Sequence, residues 1–74
     1  MYTHGHPKPK ESHMPIVHIH MLEGRTLDQK RELVRTVTEA VVKSVDAAPE
    51  RVHIVLHEME RENFGEAGVL NADS

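Results

Sequence analysis

The sequence predicts an α/β fold: one βαβ unit with a C-terminal turn or hairpin, whose two-stranded parallel sheet is extended by dimerisation. Three observations carry this. Two short alternating runs, 15–22 and 52–58, bracket a stretch whose apolar residues recur every three or four positions. The links between these segments are only a few residues long, so the strands lie parallel, joined by a right-handed crossover. The chain has 74 residues and no cysteine, so a single small domain must be stabilised without disulfides or thiolate metal sites. Self-association is the favoured supplement, with a histidine-bound metal as the other option.

Residues 1–13 lack apolar periodicity, and their Gly, Pro, Lys and His content is that of a flexible or extended lead-in. His4, His6 and His13 read as part of a solvated tail. Ser12-His13-Met14 resembles a cloning junction, so residues 1–14 are native lead-in, vector-derived, or the product of an over-called start, and the domain proper is 15–74.

Pro15 opens the first strand, a position that costs no ladder hydrogen bond. Were it the chain terminus, its nitrogen would be a secondary amine. Val17, Ile19 and Met21 fall on one face; Ile16, His18, His20 and Leu22 fall on the other, so both faces are expected to be covered. Glu23-Gly24 ends the strand. Thr26 and Gln29 then form a capping-box pattern, with Asp28 adding negative charge to the first helical turn. From Leu27, the positions Leu33, Val34, Val37, Ala40, Val41 and Val45 make one apolar stripe. Lys30, Arg31, Arg35, Glu39 and Lys43 make up a solvated face. The helix is expected to stop near Asp46, ahead of Pro49.

The second strand is expected over 52–58, with Val52, Ile54 and Leu56 on one face and Arg51, His53, Val55 and His57 on the other. One helix covers one face of such a sheet. The second face and both edges stay open, which calls for symmetric partners. Beyond Met59, the glycines near Phe64 suit a turn or small hairpin that presents Phe64 to something outside its own βαβ core.

Net charge is −3 with histidines neutral, and the basic residues are scattered without an aromatic platform, which argues against nucleic-acid binding. No apolar run reaches the roughly 18–20 residues that span a membrane, and no secretory-signal core is present. A cytoplasmic protein is the default expectation. His18, His20, His53 and His57 form two i, i+2 pairs on neighbouring strands and could bind zinc or nickel. Without a completing carboxylate or cysteine they read as interface or hydrogen-bonding histidines, so neither a metal nor another cofactor is expected.

The segments Met14-Pro15-Ile16-Val17-His18-Ile19-His20-Met21-Leu22-Glu23-Gly24-Arg25-Thr26, Gln29-Lys30-Arg31-Glu32-Leu33-Val34 and Glu58-Met59 with Asn63-Phe64-Gly65 resemble the 4-oxalocrotonate tautomerase family. The resemblance runs from Met14 to about Leu70. It implies small βαβ subunits assembled as a hexamer, a trimer of dimers, with active sites between subunits. It also implies interconversion of enol and keto forms of small 2-oxo acids or dienol carboxylates, using an N-terminal proline freed by loss of the initiator methionine.

Residue by residue, Pro15 matches the catalytic proline, Arg25 the arginine that grips a substrate carboxylate, and Phe64 the apolar wall. The family's second arginine is replaced by His53, with Arg51 two positions earlier as a partial substitute. Glu66 stands where a relative that hydrates halogenated acrylates has a water-activating glutamate. That relative's additional arginine corresponds to Leu22, so a solvated turn carboxylate is the simpler reading.

The implied chemistry is coherent. An α-amino group ordinarily titrates at about 7.7–8.0. A neighbouring guanidinium and apolar walls would disfavour its protonated form, leaving a free amine to act as base and then acid. Arg25 would pair bidentately with a carboxylate, and a cation or donor at the 2-oxo group would stabilise the enolate. With His53 in that place, activity is expected to be weaker or more pH-dependent. Two alternatives stand beside the enzyme: an N-terminally blocked, non-catalytic oligomer that binds carboxylates, and a weak hydratase of unsaturated acids acting through Glu66.

Overall fold

The computed structural model describes residues 14–73. The expected lead-in, apart from Met14, lies outside the described residues. The order of elements is β1 (Ile16–Leu22), α1 (Leu27–Val45), β2 (His53–Met59) and a short hairpin of β3 (Gly65–Glu66) and β4 (Val69–Leu70). Single 3-10 turns occupy Pro49–Arg51, Arg61–Asn63 and Asn71–Asp73. β1 and β2 pair in parallel, in a register from Ile16 opposite His53 to Leu22 opposite Met59. The expected βαβ unit and C-terminal hairpin are therefore both present.

Each element ends where its local chemistry dictates. Gly24 leaves β1 at φ 123°, a backbone angle that L side chains rarely adopt. Thr26 Oγ1 accepts from the Gln29 N–H at 3.1 Å while the Thr26 N–H donates to Gln29 Oε1 at 2.9 Å, completing the capping box. At the other end, Asp46 adopts the left-handed conformation (φ 58°, ψ 44°) and its N–H still reaches Val42 C=O at 3.0 Å. The β3–β4 turn places Ala67 and Gly68 at φ 53° and 83°, the positive pair that a two-residue hairpin of matching twist requires.

β2 begins one residue later than expected. The Val52 N–H closes the preceding 3-10 turn on Pro49 C=O at 3.2 Å, so the ladder starts with the His53 N–H on Pro15 C=O at 3.0 Å. It also runs one residue further, because the Glu23 N–H reaches Met59 C=O at 2.9 Å.

The helix packs through Leu33, Val34, Val37 and Val41, as expected, but Thr38 and Val42 turn inward in place of Ala40 and Val45, which are exposed. Lys30 also departs from the solvated face: its Nζ pairs with Glu58 Oε2 at 2.8 Å, half-buried between α1 and β2. On the outer face, Arg31 pairs with Asp28 at 2.7 Å, and Arg35 bridges Glu32 and Glu39. The hydrogen bond from Arg35 holds the Glu32 carboxyl below its usual range, and the Glu32 carboxylate raises Arg35 in turn.

Among the described residues only Ala47 is fully buried, at 4% exposure. The apolar side chains that helix and sheet turn toward each other are half-covered, whereas Leu27 is exposed at the helix start, and Ile16 (56%) and Val55 (39%) lie open on the sheet face away from α1. Among the described residues, no helix is long and apolar enough to cross a membrane.

Candidate active site

Pro15 lies one residue ahead of β1, half-buried, with its carbonyl held by the His53 N–H. This bond fixes the proline at the amino end of the sheet and sets His53, exposed and opposite Ile16, beside it. Arg51 stands at the same end, half-buried in the 3-10 turn with its N–H on Ala48 C=O at 2.9 Å. The expected route by which Arg51 joins His53 fails here. Residues two apart share a face only on an extended strand, and Arg51 precedes the strand in a turn.

Arg25 is exposed in the link between β1 and α1, beyond the carboxyl end of β1. At about 3.3 Å per residue, the seven residues of β1 separate Pro15 from Arg25 by roughly 20 Å or more, further than an arginine side chain extends. Phe64 lies past the carboxyl end of β2. It is half-buried, and its carbonyl accepts from the Asn71 N–H at 2.7 Å, which ties the hairpin's return strand back to it. Glu66 is exposed on β3, opposite Val69.

The chain thus carries two candidate half-sites: Pro15, His53 and Arg51 at the amino end of the sheet, and Arg25 with Phe64 beyond its carboxyl end. One copy does not bring them together.

Sequence reasoning missed one positioning contact. The Lys30–Glu58 pair joins the first turn of α1 to the end of β2, steadying the segment from which Arg25 projects. Lys30 and Glu58 lie too far apart in sequence for periodicity to relate them. The histidines are distributed as the strand alternation requires: His18, His20 and His57 gather on the sheet face opposite α1. No group of three or more potential ligands among the described residues is arranged to hold a metal ion.

Comparison with known proteins agrees with this architecture. The profile of the family described as tautomerase enzyme matches residues 15–73. A probable tautomerase of Halalkalibacterium halodurans is 53% identical over 60 residues, covering 81% of this chain and 98% of that protein. Among solved structures, a chain from a study of the 4-oxalocrotonate tautomerase isozymes of Methylibium petroleiphilum superposes with a TM-score of 0.78 at 44% identity, covering 80% of this chain and 92% of the other. A heterohexamer 4-oxalocrotonate tautomerase from Chloroflexus aurantiacus gives a TM-score of 0.78 at 30% identity, covering 81% and 97%. The family match spans most of the chain and the relatives and solved structures cover about four-fifths of it, and the chain belongs to the tautomerase enzyme family.

Proposed function

We propose that this chain, in a form beginning at Pro15, interconverts the enol and keto forms of small 2-oxo acids. The observation that carries the reading is the position of Pro15. It is the first residue of the family match, and its carbonyl is anchored in the ladder, so its nitrogen sits at a fixed point where the sheet opens. The amine takes the hydroxyl proton of an enol. The oxygen's electron pair forms the ketone as the carbon–carbon double bond shifts, and the protonated proline returns the proton to carbon. Arg25 from a second copy holds the carboxylate, His53 donates to the 2-oxo oxygen as charge develops there, and Phe64 keeps water from the amine. Atoms balance without a cofactor. Residues 15–74 are the working domain in this reading, and 1–14 are absent from the active form.

The separation of the half-sites supports self-association, because each site then draws on two copies. A homohexamer built as a trimer of dimers satisfies this, and the Chloroflexus aurantiacus relative at 30% identity is a heterohexamer.

A second reading has its own basis. A chain that retains Met14 holds Pro15 as a tertiary amide without a basic lone pair, leaving an oligomer that binds carboxylates through Arg25. Ketonisation of 2-hydroxymuconate or phenylenolpyruvate, followed by ultraviolet absorbance, separates the two. The form beginning at Pro15 is expected to exceed the form retaining residues 1–14 by about 100-fold or more, the range of a positioned general base. Equal rates would exclude Pro15 as the base.

A further inference from the structure

We propose that Glu58, acting through Lys30, is a positioning residue for Arg25: the pair sets where the carboxylate-binding guanidinium stands and so governs substrate affinity more than turnover. The proposal rests on the ketonisation reading above and adds the groups that hold Arg25 in place. Arg25 sits in an exposed link that begins with Gly24 at φ 123°, a residue free to turn in ways others are not. Such a link holds a guanidinium at one point only if both its ends are fastened. Both are fastened to neighbouring residues at the end of β2. The Glu23 N–H donates to Met59 C=O at 2.9 Å, and Lys30 Nζ meets Glu58 Oε2 at 2.8 Å.

Between those two ties the chain has little slack. The Lys30 N–H reaches Thr26 C=O at 3.1 Å, and the capping box binds Thr26 to Gln29, so the Lys30 side chain anchors the turn that follows Arg25 directly. The same stretch of β2 also leads into the 3-10 turn that sets Phe64, whose N–H reaches Arg61 C=O at 3.4 Å. Arg25 and the apolar wall therefore hang from one anchor point, and Glu58 fixes the spacing between them.

Two comparisons within the chain single out this pair. Among the ion pairs of the described residues it alone joins two elements; those of Arg31 and Arg35 stay within α1. Its side chains are 27% and 33% exposed, against 57% to 90% for the others, so water and salt screen it least. Arg25 makes no ion pair among the described residues, which leaves its guanidinium available to a carboxylate. A guanidinium pairs bidentately only in a narrow geometry, so a displacement of about 1 Å is enough to weaken its grip.

Three variants test this: Lys30→Met, which keeps the stem and removes the charge; Glu58→Gln, which keeps the shape; and Lys30→Arg, which keeps the cation. Ketonisation of phenylenolpyruvate is followed in the form beginning at Pro15, well below the thermal midpoint of each variant. KM is expected to rise about tenfold in Lys30→Met and about threefold or more in Glu58→Gln, with kcat held within about twofold. Lys30→Arg should restore KM to within about twofold of the parent. A pair that only stabilised the fold would lower the midpoints and leave KM alone, so an unchanged KM overturns the proposal. So does an equal fall in kcat, or a Lys30→Arg chain as impaired as Lys30→Met. If Lys30→Met does not fold, as judged by circular dichroism, the KM of Glu58→Gln decides. Amide exchange in the full chain supplies a readout that needs no turnover. In Lys30→Met the Glu23 and Thr26 amides should exchange about fivefold faster, while the His53 amide at the far end of the sheet keeps its rate. Uniform acceleration, or none, overturns the proposal. A wild type that ketonises nothing yet shows this local loosening removes the catalytic reading and leaves the anchoring of Arg25 in place.

Discussion

The His53 N–H donates to the Pro15 carbonyl at 3.0 Å, which makes the candidate base and the residue in place of the family's second arginine neighbours across the strand pair. Because the bond is main chain to main chain, changing the His53 side chain leaves Pro15 where it is. His53→Asn in the form beginning at Pro15 is therefore expected to keep the fold and alter catalysis. An asparagine amide keeps an N–H donor but not the shape or reach of the imidazole ring. The variant's kcat/KM should fall by about tenfold or more, as when a donor to a developing oxyanion is displaced. An unchanged kcat/KM would remove His53 from the site.

The Thr26 cap sits between the carboxylate-binding candidate and the Lys30–Glu58 tie. Thr26→Ala deletes the hydroxyl that accepts from the Gln29 N–H and leaves that donor to water. The expected loss is about 0.5–2 kcal/mol. It should appear as a lower thermal midpoint at fixed protein concentration, a condition that matters because association shifts the midpoint by mass action. Catalysis should suffer too, mainly as a higher KM, since fraying of the first turn loosens Arg25. An unchanged midpoint would show that the cap is dispensable.

Asp46 ends α1 at φ 58°, where a β-branched side chain is strained and glycine is not. Asp46→Val is expected to cost about 1–2 kcal/mol. Asp46→Gly should cost nothing or stabilise slightly. Midpoints measured at one concentration compare the three. Equal values for Val and Gly would mean that the left-handed cap is not formed in solution.

Most of the βαβ unit was legible because its punctuation is local. Thr26 with Gln29 marks the helix start, Pro49 bounds the helix from three residues beyond its cap, and alternation divides the strands into a helix face and a histidine face. The errors arise where one short-range pattern displaces another. A 3-10 turn after Pro49 takes the Val52 N–H and moves β2 by one residue, which also removes Arg51 from the strand face assigned to it. Lys30 left the solvated face because Glu58, distant in sequence, stood opposite it. The candidate residues themselves came from a family likeness. That they fall into two distant groups was not legible, because it depends on which end of each strand a loop leaves.

This separation leads to a test that needs no structure of the assembly. If every site takes Pro15 from one copy and Arg25 from another, then Pro15→Ala and Arg25→Ala chains are each expected to be nearly inactive alone, down about 100-fold or more. Dissociated and reassembled together in equal amounts, they form mixed oligomers in which about a quarter of the sites combine an intact Pro15 with an intact Arg25. Activity should therefore return to about a quarter of wild type, with the KM of the parent, and grow as subunits exchange. The recovered fraction should fall when one variant is in large excess, since fewer mixed pairs form. Activity that stays at the level of the separate variants after exchange, as followed by mass spectrometry of labelled subunits, would place both residues in one copy and contradict the roughly 20 Å that β1 sets between them.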